Sequence, residues 1–176
     1  MASYFLDTSA IVKRYFPEQG HSWILALCLP AHGNRLYISQ AALVEVVAAI
    51  CRKAREQVVT VAERDLLIDI FRQDSQNNYT IIPVTTSVYT FAGNLCRSHS
   101  LRAYDAIQLA CAISLRDEAA VSQAPLPVFV CADTNLITIA SEKGLHMRNL
   151  TPTSDGNESF YDVRFKASLA CAFQSR

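Results

Sequence analysis

The stretch Ser3-Tyr4-Phe5-Leu6-Asp7-Thr8-Ser9 decides how the rest of the chain is read. Tyr4, Phe5 and Leu6 are aromatic or aliphatic among turn-prone neighbours, which predicts a short buried strand. Asp7 closes it, and Ala10-Ile11-Val12 resume with helical spacing. A carboxylate where a buried strand hands over to a helix lies at the mouth of an open α/β sheet, where ligands bind. The plainer reading makes Asp7 only a helix N-cap, accepting a backbone N–H from Ser9 or Ala10. Phe129-Val130-Cys131-Ala132-Asp133 repeats the arrangement, with the same two readings.

Working outward, Leu36-Tyr37-Ile38 and Tyr79 to Val84 read as further strands, the second with Pro83 near its end. Leu145 to Leu150 reads as a weak fifth. Helical patterns cover Ala10 to Phe16, Glu18 to Leu29 and Ala41 to Gln57, the last with Ser39 as a cap. A helix capped by Thr60 follows, then Thr86 to His99, Ala103 to Arg116, and Asn135 to Lys143 ended by Gly144. Strands alternate with helices, so the class is α/β with a mainly parallel sheet. After Leu150 the pattern is broken by Pro152, Ser154, Asp155-Gly156 and Asn157. The expected organisation is one domain over residues 1–150 and a C-terminal appendage over 151–176.

With 176 residues, 51% hydrophobic and 18% charged, the chain has the size and composition of one globular domain. No apolar run reaches the ~18 residues of a membrane span, and no basic stretch leads into an apolar signal core. Six cysteines occur without a CxxC pair, so free thiols in a reducing cytoplasm are expected and a zinc site is not. Sixteen basic residues balance sixteen acidic ones, which alone argues weakly against nucleic acid. That balance misleads if Asp7, Glu45, Asp105 and Asp133 are committed to a metal, since 16 basic then face 12 acidic.

Glu45 interrupts the apolar run from Ala41 to Cys51, and a glutamate is rarely buried without a partner. It either turns to the polar side of its helix or meets something. Asp105 opens an apolar helix, where the helix dipole alone accounts for an acid. If the four acids meet at one sheet edge, two carboxylates ~4 Å apart repel by roughly 4 kcal/mol at an effective dielectric of 20. A hard divalent cation resolves that repulsion, and all-oxygen ligands favour Mg²⁺ or Mn²⁺.

The segments LDTSAIVKRYFPE (6–18), YISQAALVEVVAAI (37–50), LRAYDAIQLACAI (101–113) and FVCADTNLITIASEKGL (129–145) resemble the four acidic motifs of the PIN-domain ribonucleases. The likeness is to the VapC-type toxins of type II toxin–antitoxin pairs, over roughly Ser3 to Leu150. It implies a three-layer α/β/α PIN-like domain with a five-stranded sheet, an acidic Mg²⁺ pocket and RNA cleavage. It also implies a cognate antitoxin and a homodimer. By motif position, Asp7, Glu45 and Asp105 match the core metal-binding acids and Asp133 the fourth. Ser9 and Asn135 match supporting positions, and Cys131 stands where threonine is common in the family.

On that resemblance Asp7 and Asp105 are the principal metal ligands, Glu45 completes the sphere or orients the attacking water, and Asp133 helps hold a second ion. Lys13, Arg14, Arg97 and Arg102 flank these motifs and are candidates to guide phosphate. The four histidines lie in helix-edge or loop-like stretches and are expected to be solvated. A haloacid-dehalogenase phosphatase needs a second aspartate two residues after the first, and Ser9 stands there instead. The remaining alternatives are a housekeeping RNA-processing nuclease on the same fold and an inactive PIN-like scaffold that binds a partner.

Overall fold

A computed structural model describes residues 2–150. The appendage expected over 151–176 lies outside the described residues. The order is β1 (Ser3–Leu6), α1 (Thr8–Val12), α2 (His21–Leu27), a 3₁₀ turn (Pro30–His32), β2 (Arg35–Ser39), α3 (Ala42–Arg55) and α4 (Val61–Asn77). Then come β3 (Thr80–Ile82), α5 (Thr86–Ser98), α6 (Ala103–Val121), β4 (Val128–Cys131), α7 (Thr134–Glu142) and β5 (His146–Asn149).

All five strands pair in parallel, in the order β3-β2-β1-β4-β5. The opening strand is thus the middle of the sheet, buried on both faces. Successive residues of the inner strands serve opposite layers, as the two-residue period of a strand requires. Leu6, Leu36, Ile38 and Val130 pack with α1, α3 and α4. Phe5, Phe129 and Cys131 pack with α5, α6 and α7, and the Phe5 and Phe129 rings stack 5.9 Å apart. The result is the three-layer α/β/α arrangement.

Element ends differ from the sequence expectations for local reasons. The first helix begins at Thr8, because Asp7 caps it through the Ser9 N–H, and it finishes at Val12. The second begins only at His21, since Gly20 adopts φ +90°, which a helix interior excludes. β3 stops at Ile82 because Pro83 has no N–H for the ladder. α6 runs past Arg116 to Val121, and Arg116 donates to the Lys143 carbonyl beyond α7. Thr60 caps α4 in a reciprocal box with Glu63. The five described cysteines are unpaired, and among the described residues no helix is long and apolar enough to cross a membrane.

Candidate active site

Strand order reverses at β1, whose neighbours are β2 on one side and β4 on the other. Crevices form at the carboxyl ends of strands where the order reverses. The Asp7 N–H continues the ladder to the Val130 carbonyl, so the ends of β1 and β4 lie side by side. Asp7 and Asp133, which cap α1 and α7, emerge there together. The cap and site readings of these residues are therefore compatible. α3 brings Glu45 and α6 brings Asp105, each in its first turn. Asp7, Glu45, Asp105 and Asp133 all line one cleft of about 670 Å³.

Asp7 is only 4% exposed. Its Oδ2 accepts the Ser9 N–H at 2.9 Å and the Ser9 hydroxyl at 2.5 Å, and the Cys131 thiol at 3.6 Å. Ser9 Oγ in turn accepts the Ala132 N–H, tying the α1 entrance to the end of β4. Ser9 thus supports the site as its position suggested. Cys131 is more than a buried apolar residue, although its thiol is a weaker donor than a hydroxyl.

Glu45 is half-buried, and it did not turn to solvent. Thr8 Oγ1 donates to its Oε2 at 2.9 Å and Gln108 Nε2 donates to the same oxygen at 2.7 Å. Gln108 also donates to Thr8 Oγ1 at 2.7 Å, closing a triangle. Every one of these bonds to Glu45 falls on Oε2, as every one to Asp7 falls on Oδ2. Each acid leaves its other oxygen available. Sequence reasoning missed Thr8 and Gln108. The signal present was a glutamine three residues after Asp105, on the same side of an otherwise apolar helix.

The charges are uncompensated by the protein. Among the described residues no lysine, arginine or histidine forms a salt bridge with any of the four acids. Burial lifts the Asp7 carboxyl above its ordinary range, against the pull of the Ser9 bonds. Burial also lifts Glu45, opposed by Gln108 and Thr8 and reinforced by Asp7 and Asp105. Asp105 is raised by burial, then by Asp7 and Asp133, with Arg102 opposing. This mutual repulsion suits a divalent cation, and the free carboxylate oxygens are hard ligands. Among the described residues no three His, Cys, Asp or Glu side chains form a ready-made metal cage. That matches Mg²⁺, which keeps several of its waters and takes only one or two carboxylates directly.

Other candidates fall elsewhere. Asn135 is exposed and donates to the Ser100 carbonyl, outside the cleft lining. Arg14 turns away from the cleft to Asp74 of α4, at 2.7 Å. Arg97 is on α5 and does not line the cleft, whereas Lys13 and Arg102 do. Contrary to expectation His21 is buried, its Nδ1 2.6 Å from the Lys13 carbonyl, because the turn at Gly20 folds it beneath α1.

The PIN-domain family profile matches residues 4–123. The chain belongs to the PIN-domain family. Ribonuclease VapC45 of Mycobacterium tuberculosis is 35% identical to this PIN domain over 122 residues, covering 66% of this chain and 79% of the relative. The fold is shared with the crystal structure of VapBC2 from Rickettsia felis bound to a DNA fragment from their promoter. There the TM-score is 0.52 at 19% identity, over 83% of this PIN domain and 97% of that chain. It is shared also with FitAcB from Neisseria gonorrhoeae, at a TM-score of 0.55 and 15% identity over 83% and 96%. The relatives identify a VapC-type nuclease, and the five-stranded parallel sheet is the one the sequence resemblance implied.

Proposed function

We propose that this PIN domain is a Mg²⁺- or Mn²⁺-dependent endoribonuclease, the toxin of a toxin–antitoxin pair, acting in the cytoplasm. The observation that carries the reading is the meeting of Asp7, Glu45, Asp105 and Asp133 in one cleft where their charges oppose one another. A bound divalent cation supplies neutralisation of the phosphoryl oxygens and a lowered pKa for water. Asp7 and Asp105 hold the cation, and Asp133 assists from the α7 cap. Glu45, with Oε2 fixed by Thr8 and Gln108, uses Oε1 to orient the attacking water and take its proton. The water oxygen bonds to phosphorus as the bond to O3′ breaks, leaving a 5′-phosphate and, after protonation, a 3′-hydroxyl. No serine or cysteine in the cleft has a histidine beside it, so hydrolysis is direct.

A second cleft of about 570 Å³ lies between Leu43 and Val47 of α3 and Phe71 and Ser75 of α4. It is the groove in which an amphipathic antitoxin segment lies, with a basic side chain reaching the acids. The likeness to VapC-type proteins supports this partner and a homodimer. The test is sequencing of RNA ends after expression of the wild type and of Asp7→Asn. New 5′-phosphate ends are expected only with the wild type, and purified protein loses cleavage in EDTA. Identical end profiles overturn the assignment.

A further inference from the structure

The acidic cleft has a second half that the four carboxylates do not explain. α3 carries Glu45 in its first turn and Arg52, Lys53 and Arg55 in its last. Seven and ten residues at 1.5 Å each place Arg52 and Arg55 about 10 and 15 Å along the helix from Glu45. Between them the cleft is lined by Ala48 and Ala49, which leave its floor open. Lys53 is engaged by Glu18 and lies over the Phe16 ring. Arg52 has only a solvent-exposed pairing to Glu56 at 4.0 Å, which holds it weakly.

A complement to the helix dipole accounts for basic residues at the end of α3. It does not account for Arg102. That residue is the N-cap of α6, where the dipole disfavours a cation, and its side chain makes no capping bond. It nonetheless lines the cleft. Beside it Tyr104 is 47% exposed, lines the same cleft and is adjacent in sequence to Asp105. An aromatic face in water next to an uncompensated cation, with arginines leading away, has the makeup of a single-strand nucleic-acid track.

We infer that the cleft grips an unpaired RNA segment, with a base beside the cut stacked on Tyr104 and phosphates held by Arg102, Arg52 and Arg55. This rests on the ribonuclease reading. It adds that the substrate is bound unpaired, and by which residues. A duplex keeps its bases stacked inside and offers none to Tyr104, so paired RNA of the same sequence binds less tightly.

The test uses a fluorescent single-stranded RNA and the Asp7→Asn protein, which binds without cutting. Tyr104→Ala is expected to weaken binding about 5- to 150-fold, the range for one lost base–aromatic stack, and Tyr104→Phe to restore it. Replacing both Arg52 and Arg55 by alanine is expected to flatten the slope of log Kd against log salt by about 1.4, at about 0.7 per cation. All four residues are exposed, so equal melting temperatures establish that the variants fold. Unchanged affinity in Tyr104→Ala, an unchanged salt slope, or equal loss on duplex RNA overturns the inference. If the wild type still cleaves RNA in a Mg²⁺-dependent way, that failure leaves the nuclease assignment standing. Absence of cleavage by the wild type removes both.

Discussion

Asp7→Asn separates two accounts of the same residue through stability as well as activity. If Asp7 were only a helix cap, asparagine would serve nearly as well and the melting temperature would hardly move. If it is a buried anion facing other anions, the metal-free protein gains. A buried charge costs several kcal/mol, of which the Ser9 N–H, the Ser9 hydroxyl and the Cys131 thiol return part. Asparagine keeps an oxygen for Ser9 and turns an N–H₂ toward Glu45 and Asp105. A net gain of about 1–3 kcal/mol is expected, which for a chain of this size raises Tm by roughly 3–10 °C.

The pH dependence follows from the direction of the shift. The folded Asp7 carboxyl is raised above its ordinary value of 3.8, so its favourable contribution is complete below that value. It is lost as pH rises through the folded value. The gap between variant and wild type is therefore widest at neutral pH and closes on acidification. Mg²⁺ reverses the order, since a cation at 100 times its Kd stabilises the wild type by about 2.7 kcal/mol and the variant less. Scanning calorimetry in EDTA from pH 4 to 8, then with Mg²⁺, measures all three effects. A variant that melts with or below the wild type throughout, with the same response to Mg²⁺, refutes the acid-cluster reasoning.

Gln108→Met removes both bonds that Gln108 makes in the Glu45 triangle while filling similar space. Losing a hydrogen bond to a charged group costs about 1.5–3 kcal/mol, so kcat at saturating Mn²⁺ should fall roughly 10- to 150-fold. An unchanged kcat would mean that Glu45 needs no positioning. Asp74→Ala strands the buried Arg14, which now bonds Asp74 alongside Tyr15 and Asn78, and should cost about 3–5 kcal/mol. Urea unfolding reads this loss directly. Thr60→Ala breaks the exposed capping box and should lower Tm by only about 2–4 °C, with RNA cleavage intact. A larger fall would show that α4 depends on its cap more than on packing.

The buried pair of Arg14 and Asp74 bears on why some cationic candidates were misplaced. Lys13 and Arg14 are consecutive at the end of α1, and adjacent side chains leave a turn in different directions. Lys13 went to the cleft, while Arg14 went to α4 and lies 5.9 Å from the centre of the Tyr79 ring. Nothing local chooses between those outcomes. His21 is similar, since its burial follows from how α2 folds back on the Lys13 carbonyl.

By itself the sequence determined the alternation of strands and helices and the placement of acids where β1 and β4 end. It also determined the Thr60 cap and the turn at Gly144, whose φ of +75° suits glycine. These are properties of neighbours within a few residues, set by side-chain period, capping and backbone sterics. Only the tertiary structure decided that Glu45 and Asp105 join Asp7 and Asp133 in one cleft. It alone decided that Gln108 and Thr8 fix one oxygen of Glu45, and that Asn135 bonds Ser100 instead. Those outcomes depend on how α3 and α6 pack against the sheet, across separations of 63 residues for Glu45 and Gln108. Local pattern carries no record of such a distance, because burial of whole helix faces sets it.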